Sequence, residues 1–390
     1  MWSSKKITNR VVAVMADTIA EKMREGVEQG VFPGGVLLVS YRGRTVHHAA
    51  YGAACLVPEP EPATIDTIYD LASLTKPLVT TTAVALLLAD GRLNLEDPLE
   101  RFVPELTQVD LRQATIRHLL NHTSGLPAWR PLYERIVPDG HRLRDQPLAA
   151  RRAAVFEAIH REPLVEPVGR RCLYSDLGFM LLGEILERIV KQEWAAFCHA
   201  DVLARLGVSG LFYMSESGPT GGVSVGARRF AATEQDEWRG RLIRGEVHDE
   251  NAAVLGGVST HAGLFGTAEA VLRAVTPWLA AVRGESSPIP SWWAREFVRR
   301  QGIDPHGSWA LGWDTPSTGP GNAPSSSGQY FSPASFGHLG YAGTSIWIDP
   351  DRELIVVLLT NRVHPTRKND KIRTFRPGLH DVVFTSAVGG

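Results

Sequence analysis

The stretch 67–91, TIYDLASLTKPLVTTTAVALLLADG, decides the reading of this chain. A hydroxyl at Ser73 and an amine at Lys76 stand three residues apart at the head of a long apolar run. The run predicts a largely buried helix over 73–90. Residues i and i+3 share one helix face, so the two side chains come within hydrogen-bond reach. Burial disfavours an ammonium, so a lysine here needs a chemical reason. A serine hydroxyl is a weak nucleophile until something takes its proton, and a desolvated amine can do so. A helix start adds free N–H groups and positive dipole character beside the reacting atom. The bland alternative is a capping serine and a lysine that snorkels to solvent. The spacing is short as a motif, since Ser3 and Lys6 repeat it in a polar tail.

Outward from this stretch the chain falls into three blocks. Residues 11–29 read as an amphipathic helix. GGVLLVSYRG and RTVHHAAYG follow as β-rich runs split at Arg42-Gly43, a hairpin signal. Beyond 73 the pattern is mostly helical, over 115–121, 147–161, 176–192, 194–206 and 267–283. From 308 onward strands return: YAGTSIWIDP and RELIVVLLTNR meet at the turn Pro350-Asp351. Residues 314–335 are rich in Pro, Gly and Ser and read as a long surface loop, and a last helix is expected after Pro377. Strands at both ends around a helical middle predict an α+β fold. An antiparallel sheet is built from both termini (about 1–72 and 285–390), and a helical subdomain (about 73–284) is inserted. The cleft between them is a natural site for chemistry.

Bulk properties limit the alternatives. With 390 residues, 44% of them hydrophobic, the chain can bury a large core as a single catalytic domain. A net charge of -1 with mixed signs leaves no electrostatic footprint for nucleic acid. Uncharged runs such as 77–89 fall short of a membrane span. Cys55, Cys172 and Cys198 form no CxxC pair, so neither a disulfide framework nor a structural zinc site is expected. Near the N-terminus, Asp17 interrupts a short apolar patch that superficially suggests a signal peptide, and no small-residue cleavage site follows. The expectation is a cytoplasmic protein.

The chain around Ser73 resembles the serine β-lactamase and penicillin-binding protein superfamily, especially its class C-like branch, in which S-x-x-K opens a core helix. LNLEDPLERFVPEL and TIRHLLNHTSGLP look like the family's stretch after that helix. YSDLGFMLLGEILERI (174–189) sits where the family keeps Y-x-N, and FGHLGYAGTSIWIDP (336–350) where it keeps K-T-G. HDENAAVLGGVSTHAGLF (248–265) resembles carboxypeptidase-like members. The resemblance implies acylation of Ser73 by an amide or ester carbonyl, then hydrolysis, without metal or organic cofactor. D-alanyl peptides, β-lactams and small esters all suit that machinery. The alternative is a module that binds or senses cell-wall fragments without turnover.

Each further element carries its own chemistry. Tyr174, after the cationic loop Gly169-Arg170-Arg171, can serve as a phenolate base alongside Lys76, and Ser175 is a weaker candidate for proton shuttle. Asp176 departs from the family's Asn; either it pairs with Lys76 and raises its pKa, or it caps the helix over 176–190. His338-Leu339-Gly340 replaces K-T-G. Gly340 lets a substrate backbone approach, and the resemblance implies an oxyanion hole made by the N–H groups of Ser73 and Tyr341. His338 either orients a substrate carboxylate as a cation, titrating near neutrality, or only hydrogen-bonds across the cleft. His261 fits H-x-G as well, and either lines the cleft or packs. Arg362 and Arg367 are candidates to hold a substrate carboxylate. Two features read as decoys. Ser224 lies in a formal G-x-S-x-G but in a loop, and His248-Asp249-Glu250-Asn251 lacks metal-ligand spacing and reads as a salt-bridged turn.

Overall fold

The computed structural model describes residues 9–226, 229–303, 307–317 and 325–389. The Ser3–Lys6 repeat lies outside them. The first helix, α1, spans Asn9–Glu28 and leads into strands β1 (Gly34–Tyr41) and β2 (Arg44–Cys55). Arg42 and Gly43 both take positive φ, 50° and 72°, the backbone that a two-residue hairpin matched to strand twist requires. A short β3 (Glu61–Pro62) follows β2. The main sheet is completed from the far end of the chain by β4 (Phe336–Leu339), β5 (Ser345–Asp349) and β6 (Leu354–Thr360). Its order is β4-β5-β6-β1-β2-β3, antiparallel throughout, with Leu37 opposite Leu358.

Alternation along the strands explains why both faces are covered. Leu37, Val39, Val356 and Leu358 point to a layer made by α1 and the last helix. Val36, Leu38, Val357 and Leu359 point to the larger core. That core contains α2 (Thr82–Ala89), α3 (Asp176–Val190) and α4 (Ala268–Arg283). Ala72–Ala89 reaches the hydropathy and length of a membrane span, 18 residues at mean hydropathy 1.4, yet 89% of it is buried inside the protein. It is the central core helix.

Three expectations need correction. The last helix, α5, spans Ile372–Ala387 and holds Pro377 inside it rather than starting after it. Ile372, Phe375, Leu379 and Val383 pack on the sheet, and that burial outweighs the hydrogen bond a proline cannot donate. The expected surface loop over 314–335 lies partly outside the described residues, and its described end is tucked in. Ser332 is held by Asp349, and the carbonyl of Ser326 accepts from His380 Nδ1. The middle of the chain also contains small sheets that a helical pattern misses, including Phe212–Ser215 paired with Leu264–Gly266.

Candidate active site

The segment that opens the central helix is not uniform. Ala72–Leu74 form a 3-10 turn, Lys76–Thr81 a wider π-type turn, and only then does α2 begin. Ala72 sits at φ 48°, a strained conformation for a residue with a side chain, directly before Ser73. Buried Asp70 secures this turn. One carboxylate oxygen accepts from the Ala72 N–H at 2.8 Å and the other from the His248 N–H at 2.7 Å. The Thr75 hydroxyl adds a bond to the Ala72 carbonyl at 2.7 Å. Among the described residues, the backbone N–H groups of Ser73 and Tyr341 donate no loop, turn or cap hydrogen bond to another backbone carbonyl.

Lys76 is fully buried, and all three of its N–H groups are engaged. Nζ donates to Ser73 Oγ at 3.2 Å, to Asp176 Oδ1 at 2.6 Å and to the His261 carbonyl at 3.0 Å. Burial by itself would pull its pKa down, but the Asp176 carboxylate, through its charge and its hydrogen bond, holds it above the ordinary lysine value. Of the two alternatives for Asp176, pairing is the one realised, because the cap is taken. Ser175 is the N-cap of α3, its Oγ accepting from the Gly178 N–H at 3.1 Å and donating to the Pro127 carbonyl at 2.7 Å. That leaves Ser175 structurally committed rather than a shuttle.

Tyr174 lies just before α3, its ring 4.8 Å from Lys76 Nζ and packed on His122 and Trp309 with centroids 4.6 and 5.0 Å apart. Burial raises its pKa, and Lys76 only partly opposes this. The expected phenolate beside an arginine-rich loop is therefore not the resting state; Arg171 is paired with Glu166 instead.

His338 departs further from expectation. It is 1% exposed, donates Nδ1–H to the Leu339 carbonyl at 2.8 Å, and has its pKa lowered to about 3 by burial and then by Lys76. It is a neutral ring, not a cation, and among the described residues its buried Nε2 has no hydrogen-bond partner.

These side chains converge on a cavity of about 290 Å³ lined by Ser73, Tyr174, Trp309, Asp314, His338, Gly340 and Tyr341. Arg362, Arg373 and Arg376 complete it. Arg362 donates to the carbonyls of Tyr341, Arg367 and Asn369, and its guanidinium lies 4.6 Å over the Tyr341 ring. Burial lowers the Arg376 pKa to about 9, helped by Arg362, and among the described residues its side chain makes one hydrogen bond, at 3.4 Å to the Thr344 carbonyl. Among the described residues, none of the three arginines is ion-paired to a carboxylate. Asp314, an acidic group in the same cavity, is pushed up to about 6 by burial. Trp309, Asp314, Arg373 and Arg376 are residues the sequence did not flag. A larger hollow, about 1010 Å³, opens elsewhere beside Trp194 and Glu216 and contains none of these groups.

Other candidates fall away from the cavity. Arg367 is bound to Glu234 and Glu250, at 2.5 and 2.6 Å, and is not free for a substrate. The His261 ring lies between Ser259 and Asp249, so only its carbonyl reaches the site. The segment 248–251 is a salt-bridged turn: His248 pairs with Glu234, Asp249 caps a short helix, and Glu250 meets Arg367. Among the described residues no cluster suited to a metal ion occurs. Ser224 is exposed in a loop remote from the cavity lining. Gly340 is required by its own chain, since a Cβ there would meet Thr344 and lie 2.7 Å from the Leu71 carbonyl.

Known proteins resemble this chain in sequence and in fold. A protein of Escherichia coli (strain K12) named "Putative D-alanyl-D-alanine carboxypeptidase" is 28% identical over 353 residues, 85% of this chain and 79% of that protein. The N-acetylmuramyl-L-alanine amidase of Bacillus subtilis (strain 168) is 29% identical over 388 residues, 92% of this chain and 84% of that protein. The crystal structure of a class C beta lactamase superposes with a TM-score of 0.67 at 17% identity, covering 96% of this chain and 99% of its own, a likeness of fold. A family model described as Beta-lactamase matches residues 19–377, and the chain belongs to that family as a hydrolase.

Proposed function

We propose that the chain is a serine hydrolase that forms an acyl-enzyme on Ser73 and takes substrates ending in a carboxylate, D-alanyl peptides foremost. One observation carries the substrate class: three guanidinium groups that, among the described residues, have no carboxylate ion-pair partner line the cavity that contains Ser73. Unpaired arginines are matched by a carboxylate, which they bind in planar, bidentate fashion. The relative named as a carboxypeptidase supports the same class. In this reading Ser73 Oγ attacks the scissile carbonyl, and the N–H groups of Ser73 and Tyr341 receive the developing oxyanion. Water then releases the acyl group. Lys76 and Tyr174 carry the protons.

The test uses a fluorescent penicillin or fluorophosphonate together with release of D-alanine from a D-alanyl-D-alanine peptide. Wild type should label at Ser73 and turn over, whereas Ser73→Ala should do neither and Ser224→Ala should behave as wild type. A dead Ser224→Ala variant would overturn the assignment. A second reading, a binding or sensing module, is favoured by the fully engaged Lys76 ammonium, which leaves no free base at rest. Labelling that never turns over would select it.

A further inference from the structure

A lysine with a raised pKa and three engaged N–H groups is a poor base, yet it is the nearest basic group to Ser73 Oγ. The partner that blocks it also offers the way out. We propose that Asp176 holds the Lys76 proton during acylation, so that a neutral amine meets the Ser73 hydroxyl. This rests on the serine-hydrolase reading above.

The geometry lines up three groups in sequence. Ser73 Oγ lies 3.2 Å from Lys76 Nζ, which lies 2.6 Å from Asp176 Oδ1. The His261 carbonyl at 3.0 Å fixes the third N–H, so the amine cannot swing away. Ser175 caps α3, which frees the neighbouring Asp176 to turn inward. The lysine side chain is 0% exposed and the aspartate 17%. The pair is largely buried, and burial penalises its two charges together. The other titratable groups facing Lys76 are Tyr174, His122 and His338, and burial keeps both histidines neutral beside the ammonium.

The proton balance is explicit. The Lys76 N–H facing Asp176 breaks and its proton bonds to Oδ1. As Ser73 Oγ bonds to the carbonyl carbon, its own proton passes to Nζ, and the carbonyl π pair moves to oxygen. The site begins with one ion pair and ends with the Lys76 ammonium beside the oxyanion, so net charge is unchanged. On collapse, Lys76 gives a proton to the leaving nitrogen or oxygen and Asp176 returns its own to Lys76. Asp176 acts through Lys76 and never touches the substrate.

The experiment measures acylation of Ser73 against pH in wild type, Asp176→Asn and Lys76→Arg, with a nitrophenyl ester and a fluorophosphonate. Wild type should be nearly flat between pH 6 and 9. Asp176→Asn should be at least ~10-fold slower at pH 6 and climb with pH, because Lys76 must now lose its proton to solvent. Lys76→Arg keeps the ion pair but cannot give up a proton, and should stay at least ~10²-fold slow at every pH. An Asp176→Asn profile parallel to wild type would overturn the proposal. So would a Lys76→Arg variant near wild-type rate, which decides the matter even where Asp176→Asn fails to fold. Wild-type protein that never labels at Ser73 would instead sink the serine reading itself.

Discussion

At the scale of single residues, His338 shows how burial rewrites chemistry. With its pKa near 3, it carries no charge across the neutral range, and the Lys76 ammonium nearby makes protonation harder still. In an Asp314→Asn background, which removes the cavity carboxyl that titrates near 6, the KM of a carboxylated substrate and of its neutral methyl ester should therefore follow parallel pH profiles from about pH 5 to 8, since an unperturbed imidazole would titrate near ~6.5. Divergence centred on that value would restore a cationic role to His338. The sequence made the Ser73–Lys76 pair legible because a three-residue spacing needs only local geometry. It also raised the Asp176–Lys76 pair but could not choose it over capping, because the choice depends on Ser175 bonding Gly178 and Pro127. Arg373 and Arg376 were not legible at all. Both precede Pro377, where the sequence predicts no helix, while their approach to the cavity comes from α5 docking on the sheet.

Among the elements, α3 and the segment 259–261 are set against each other by Gly183. A Cβ at that position would come within 2.6 Å of Thr260 Cγ2. Thr260 is doubly tied, its hydroxyl donating to the Phe179 carbonyl and its own carbonyl accepting from Thr80. The next carbonyl, that of His261, orients Lys76. Gly183→Ala should thus shift the acceptor of Lys76 and lower kcat by at least ~10-fold, while overpacking costs about 1–3 kcal/mol of stability. Denaturant midpoints read beside kcat would check this, and unchanged kcat in a destabilised protein would confine Gly183 to packing. Helical periodicity located α3 well, because eleven of its side chains or glycines are buried. It failed for the 3-10 and π-type turns around Ser73, where Asp70, Thr75 and the remote residue Leu264 hold the backbone.

For the whole molecule, the sheet's composition from both ends was legible, since apolar runs bracket the helical middle. The register and the packing of the last helix were not, because they depend on partners hundreds of residues away. The bond from the Gly34 N–H to Asn361 Oδ1 joins positions 327 residues apart. That separation has a consequence for synthesis. A ribosome adding ~5–20 residues per second needs roughly 15 to 60 seconds after making β1 before its partner emerges. Throughout that interval a fully apolar strand, Val36-Leu37-Leu38-Val39, waits with one edge unpaired, an invitation to pair with a neighbouring nascent chain. A fragment stopped at residue 350 should accumulate as aggregate, and adding the missing 351–390 peptide in trans should recover soluble protein. Equal solubility of fragment and full chain, measured by sedimentation after expression, would show that the waiting strand is shielded in another way. The burden of making this enzyme would then rest on its last forty residues no more than on any others.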